Sequence, residues 1–136
     1  APSRGVTGSL PPESRSTGTS ELSGAWRSES MGPRGQPQSQ SAVFTRTVVH
    51  GLNPQDAVSA PRWLLGRTWG QSTDSLKLES RFPAETVAAL RARGHAVDVL
   101  GDFDETFGHA GCLLRKPDGS LEGGFDPRSD GIVAAF

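Results

Sequence analysis

The stretch that decides the fold runs from Leu76 to Leu100, LKLESRFPAETVAALRARGHAVDVL. Leu76-Lys77-Leu78-Glu79 alternates apolar and charged residues, the period of a half-buried strand. Pro83 then opens a helix carried by Glu85, Val87, Leu90 and Arg91. Gly94 ends it, after Arg91 and Arg93, whose charges suit the negative end of the helix dipole. Val97 to Leu100 returns to strand character. Downstream, Ala110 to Arg115 reads as a further strand, and Pro117-Asp118-Gly119-Ser120 has the turn chemistry to fold it back onto Leu121 and Glu122. Upstream, Ala42, Val43, Phe44, Val48 and Val49 fit one face of a short helix between Ser41 and Val49, stopped by Gly51. Asn53-Pro54-Gln55-Asp56 supplies an N-cap, a proline at the first helical position and an acidic first turn, and Pro61 ends that helix at Ser59 or Ala60. Arg62 to Gly70, rich in Trp and Leu, reads as buried extended chain. Helices followed by strand, helix, strand, strand predict a layered α+β arrangement.

The 136 residues suit one modest domain or a piece of a larger one. Hydrophobic residues make up only 34% while Gly (17) and Pro (10) are abundant, so the core is small and loops are plentiful. With Lys+Arg 14 against Asp+Glu 15, no basic excess exists to neutralise a phosphate backbone, which argues against nucleic acid. No apolar run approaches the roughly 20 residues of a membrane span, and the N-terminus lacks a basic-then-apolar signal pattern. A single cysteine, Cys112, gives neither an internal disulfide nor metal-ligand spacing, so no metal and no cofactor is expected. The compartment stays open. Residues 1–30, dominated by Ser, Gly, Pro and Thr, are expected to be a disordered or non-homologous leader, and residues 31–136 the folded part.

Three ordered stretches resemble the γ-glutamyltransferase family: Gly35-Gln36-Pro37-Gln38-Ser39-Gln40, then Asn53-Pro54-Gln55-Asp56-Ala57-Val58 leading into Ala60-Pro61-Arg62-Trp63, and finally Asp126-Pro127-Arg128-Ser129-Asp130-Gly131. Arg93-Gly94-His95 and Gly108-His109-Ala110-Gly111 lie where similar enzymes place a helix-to-strand turn and a core strand. Leu64-Leu65-Gly66-Arg67-Thr68-Trp69-Gly70 looks closer to the glutathione hydrolase-like and oxamate amidohydrolase-like branch. The resemblance covers the C-terminal part of the small subunit. It implies part of an αββα N-terminal-nucleophile hydrolase sandwich, incomplete in this chain, and a γ-glutamyl or related small amide as substrate. It also implies a partner in the large subunit or the missing N-terminal part of the same precursor. In such an enzyme the new N-terminal Thr attacks the amide carbonyl with its own α-amine as base, and water or an acceptor amine releases the acyl group.

The resemblance places no nucleophilic Thr within this chain, so no catalytic residue is carried over; Thr7, Thr17 and Thr19 lie in unpatterned sequence. A Gly-Gly pair that supplies oxyanion N–H groups in the family aligns with Gly32 and Pro33. Proline has no N–H, which leaves Gly32 as the one oxyanion candidate. Arg34 replaces the acidic residue that commonly follows. The match stops before Met31, as a shifted reading frame, a foreign leader or a truncation would produce. Gln36, Gln38, Arg62, Asp126 and Arg128 are read as structural motif residues, with Arg62 and Arg128 as ion-pair partners for Asp126, Asp130 or Glu79. Asp126 to Gly131 is expected to be an ordered loop. His95 reads as a turn residue, His50 as exposed, His109 as a residue before a strand, and Cys112 as a buried, inert thiol. Trp63 and Trp69 read as core. Two functional readings follow: a scaffold piece of an amide hydrolase, or a non-catalytic remnant or interaction module that keeps only the scaffold.

Overall fold

The computed structural model describes residues 28–29, 35–67 and 72–134. Two three-stranded sheets and three helices make up this part. One sheet has the order β1 (Ser28–Glu29), β5 (His109–Arg115), β6 (Leu121–Phe125), and both of its pairings are antiparallel. In the other, β3 (Leu76–Glu79) lies between β2 (Trp63–Leu65), antiparallel, and β4 (Val97–Leu100), parallel. The right length of crossover for a parallel pair is supplied by α3 (Ala84–Ala92), as the strand–helix–strand reading requires. The mixed α/β architecture matches the expected class.

Helix α1 (Gly35–Val48) begins six residues earlier than the apolar pattern indicates. Its buried positions are Gly35, Ser39, Val43 and Thr47, one every fourth residue, so three of the four are small or polar. Such a stripe carries no hydrophobic period, yet it lets α1 approach closely. Ser39 Oγ donates to Phe107 O at 3.3 Å, and Thr47 Oγ1 donates to Val43 O at 3.0 Å. Helix α2 (Pro54–Ser59) starts as expected: the Asn53 side chain accepts from Asp56 N at 2.8 Å and donates to Asp56 Oδ2 at 2.7 Å. Val43, Ala57, Val58, Ala110 and Cys112 form the core between α1, α2 and β5, with Leu52 against it. Helix α2 lies so close on β6 that a Cβ at Gly124 would collide with the Pro54–Gln55 backbone.

Two burial expectations are corrected. Strand β3 is not half-buried, since Lys77, Leu78 and Glu79 are all enclosed. The charged face that looked solvated instead meets the arginines and carbonyls described below. Trp63 is 37% exposed and Leu65 51%, so only the alternate residues Arg62, Leu64 and Gly66 of the 62–67 stretch are buried. Helix α3 has clear start and stop signals, with Gly94 at φ 90, but buries no residue. The expectations for Gly32, Pro33, Trp69 and residues 1–27 lie outside the described residues; Ser28 and Glu29, from the expected leader, pair with Ala110 and His109 of β5.

Candidate functional site

Of the motif residues, Arg62, Asp126 and Arg128 converge where α2 ends. A six-residue helix leaves most of its carbonyls without intrahelical partners, and here those carbonyls lie inside the fold. Four guanidinium groups satisfy them. Arg46 donates to Ala57 O (3.3 Å) and Pro61 O (2.5 Å), and Arg81 to Ser59 O (2.9 Å). Arg62 and Arg128 share Val58 O at 3.3 and 3.1 Å, and Arg128 also reaches Ala60 O at 3.2 Å. Five consecutive carbonyls are thus capped by side chains drawn from four separate segments.

Two carboxylates complete the network. Asp126 pairs with Arg62 Nη2 at 2.5 Å and Arg128 Nη1 at 2.8 Å, and it accepts the backbone N–H of Ala110 at 2.8 Å. Glu79 pairs with Arg128 Nε and Arg81 Nη2, both at 2.5 Å, and accepts Arg62 N at 3.2 Å. Arg62 also donates to Phe107 O and Gly108 O, which ties in the start of β5. Four arginines face two carboxylates, and the excess positive charge is met by the carbonyl dipoles at the negative end of α2. Burial, the dominant influence, lowers the Arg62 pKa to about 10 despite the opposing pull of Asp126. Burial likewise lowers Arg46. For Arg128 burial works in the same direction, but the hydrogen bond to Glu79 and the charge of Asp126 outweigh it and hold the pKa above the ordinary guanidinium value. Phe103 stacks over the Arg81 guanidinium at 3.6 Å, held there by a left-handed backbone at φ 51.

Two of the motif glutamines, Gln38 and Gln55, do a different job. Gln38 donates through Nε2 to Leu65 O (3.0 Å) and accepts Leu65 N through Oε1 (2.8 Å). Gln55 makes the same pair of bonds to Phe125, at 3.0 and 3.2 Å. Each side-chain amide stands in for the peptide of a neighbouring strand at the outer edge of its sheet. Gln36 is exposed on α1, and Asp130 is exposed outside the ionic network.

The remaining polar candidates do not assemble. His50 and His95 are exposed, and His109 begins β5 with Nε2 buried and without a partner among the described residues. Cys112 is buried beside Thr47 Oγ1 at 3.9 Å, and burial raises its thiol pKa. No group of three or more His, Cys, Asp or Glu among the described residues could hold a metal. Among these residues no helix is long and apolar enough to cross a membrane. Sequence reading pairs Arg62, Arg128, Asp126 and Glu79 but misses Arg46, Arg81 and Phe103. The available signal was a six-residue helix closed by Pro61, whose carbonyls require donors from elsewhere.

A buried network of this kind fastens the segments that carry the Ala60-Pro61-Arg62 and Asp126-Pro127-Arg128 motifs within a mixed α/β fold. The profile of the family described as Gamma-glutamyltranspeptidase matches residues 29–136, and the chain belongs to that family. It is 58% identical over 107 residues to the oxamate amidohydrolase proenzyme of Klebsiella pneumoniae, which covers 79% of this chain and 20% of that protein. It is 45% identical over 106 residues to the glutathione hydrolase-like YwrD proenzyme of Bacillus subtilis, covering 78% of this chain and 20% of that protein. Among solved structures it resembles cephalosporin acylase from Bacillus halodurans, with a TM-score of 0.68 and 38% identity over 82% of this chain and 19% of that one. The chain thus spans about a fifth of the length of the curated relatives it matches.

Proposed function

We propose that residues 31–136 are the C-terminal part of the small subunit of an N-terminal-nucleophile amide hydrolase, acting as scaffold for a site completed by the rest of the precursor. The observation that carries this reading is the ionic network. It joins the Ala60-Pro61-Arg62 and Asp126-Pro127-Arg128 motifs around one helix end, with guanidinium donors committed largely to protein acceptors rather than offered to a substrate. The substrate class is a γ-glutamyl or related small amide, and identity to the oxamate amidohydrolase proenzyme favours the related amides. The partner is the large subunit or the preceding part of the same precursor, in keeping with relatives that are themselves proenzymes. Gly32 is the residue proposed to offer a backbone N–H to the oxyanion.

A chimera tests this. Residues 31–136 replace the matching segment of the Klebsiella proenzyme, and self-cleavage and ammonia release from oxamate are measured beside the parent. Retention of both supports the scaffold reading. One observation favours the remnant reading instead: Pro33, with no N–H, stands where the family resemblance places the second oxyanion donor. A chimera that folds and cleaves itself but releases ammonia only after Pro33→Gly would assign the loss to that residue. A folded chimera that never cleaves itself would leave the chain as a non-catalytic module.

A further inference from the structure

Lys77, on the same face of β3 as Glu79, is completely enclosed. Its Nζ donates to Gly66 O (2.9 Å), Thr73 O (2.9 Å), Ser75 Oγ (3.1 Å) and Ser75 O (3.3 Å). All four are neutral oxygens. Gly66 lies on one arm of the β2–β3 hairpin and Thr73 and Ser75 on the other, and Gly66 N–H donates to Ser75 O across the neck at 3.2 Å. The counter-charge stands one hydroxyl away: Ser75 Oγ donates to Asp98 Oδ2 at 2.5 Å, and Asp98 is the register neighbour of Lys77 on β4.

We propose that these oxygens form a monovalent-cation site that Lys77 occupies from within, and that the positive charge in the cage closes the neck of the hairpin. Carbonyl oxygens converging on a dehydrated cation replace its hydration shell, and an ammonium on a four-carbon stem is a compact charge able to fill such a space. A seryl hydroxyl beside a lysine amine also resembles a nucleophile and its base. That role fails on proton placement, because the ammonium donates to the Ser75 hydroxyl and has no lone pair to take its proton, which faces Asp98 instead. The inference is independent of the enzymatic reading above.

The test uses the full chain with Lys77→Ala, which removes three methylenes and the nitrogen. Thermal melting and hydrogen exchange at the Gly66 amide are followed with added propylammonium chloride, which supplies the missing atoms. Propanol and tetramethylammonium chloride at equal ionic strength are the controls. Propylammonium is expected to restore the melting temperature and Gly66 protection, with potassium and ammonium giving part of the effect and the controls none. An equal response to propanol, or no response to any cation, overturns the proposal. Should Lys77→Ala fail to fold, Lys77→Met keeps the apolar stem without the charge. It is then expected to speed exchange at Gly66 by about tenfold or more beyond any change at α1 amides, as a local opening does. Unchanged exchange at Gly66 would show that the buried stem, and not the charge, closes the neck.

Discussion

Two buried cation centres meet on one face of β3 and are built by opposite means. Around Glu79, planar guanidinium forks pair with carboxylates and reach several acceptors at once, joining residues as far apart as Arg46 and Arg128. Around Lys77, a single ammonium is held by neutral oxygens of one hairpin, from Gly66 to Ser75. The first centre fastens the fold and the second fastens a neck. The difference follows from side-chain shape: the arginine fork has fixed directions that can span segments, whereas a lysine is a point charge served by whatever oxygens surround it.

The comparison breaks most visibly at Arg128. Arg128→Ala leaves Glu79 short of a partner, removes one of the two arginines on Asp126, frees the Ala60 carbonyl and leaves Val58 O to Arg62 alone. Removing one partner of a buried pair costs about 3–5 kcal/mol. In a domain of this size each kcal/mol moves the melting temperature by about 4–8 °C. The variant is therefore expected to melt at least about 10 °C below the wild type, and Arg128→Lys is expected to recover little, since one ammonium cannot reproduce the fork. A melting curve within a few degrees of wild type for Arg128→Ala would refute a fastening role. By contrast Lys77→Met is expected to cost about 1–3 kcal/mol, the penalty for acceptors left unpaired. Urea unfolding should give that loss with the slope unchanged. A loss as large as that of Arg128→Ala would erase the distinction between global and local fastening.

A third enclosed titratable group sharpens the contrast, because it is held neutral. Burial raises the Cys112 pKa, opposed in part by the hydrogen bond with Thr47. The fold therefore keeps the proton longer than the unfolded chain does. The favourable contribution is complete below the unfolded pKa, roughly 8.5, and is lost as pH rises through that value toward the raised one. Stability should thus fall more steeply above pH 9 in the wild type than in Cys112→Ala. Identical profiles would mean that the thiol ionises as readily inside the fold as outside it.

Much of the fold is legible in local signals. Asn53-Pro54 sets the start of α2, Gly94 the end of α3, and Pro117-Asp118-Gly119-Ser120 the β5–β6 turn, because each depends on backbone preferences of a few adjacent residues. Helix α3 shows the limit of that logic, being clear in sequence yet burying no residue. The start of α1 was hidden because Gly35, Ser39 and Thr47 bury small or polar groups that have no hydrophobic signature. The inner face of β3 was misread because Lys77 and Glu79 look like a solvent face unless their distant partners are known. The pairing of Arg62, Asp126 and Arg128 could be anticipated from motif proximity to prolines, but the carbonyl capping by Arg46 and Arg81 depends on tertiary placement alone.

The smallest expected effect concerns Gln38, which fastens without charge. Its amide presents an N–H and a carbonyl oxygen in the spacing of a peptide group to Leu65, on the outer edge of β2, and bonds it through both. Two neutral hydrogen bonds of this kind contribute about 1–2 kcal/mol together, less where water can replace them. The stability loss in Gln38→Leu should accordingly be no more than about 1–2 kcal/mol, and that in Gln55→Leu similar. Their consequences for association should differ. Freeing Leu65 opens a strand edge flanked by Trp63 and Leu65 side chains that are already 37% and 51% exposed, the combination that invites edge-to-edge pairing. Sedimentation velocity across a concentration series should then show more reversible self-association for Gln38→Leu than for the wild type. Gln38→Glu, which keeps the acceptor for Leu65 N–H but adds a charge to the edge, should self-associate no more than the wild type. If Gln38→Leu self-associates no more than the wild type and the Leu65 amide keeps its wild-type exchange rate, the glutamine does not seal that edge.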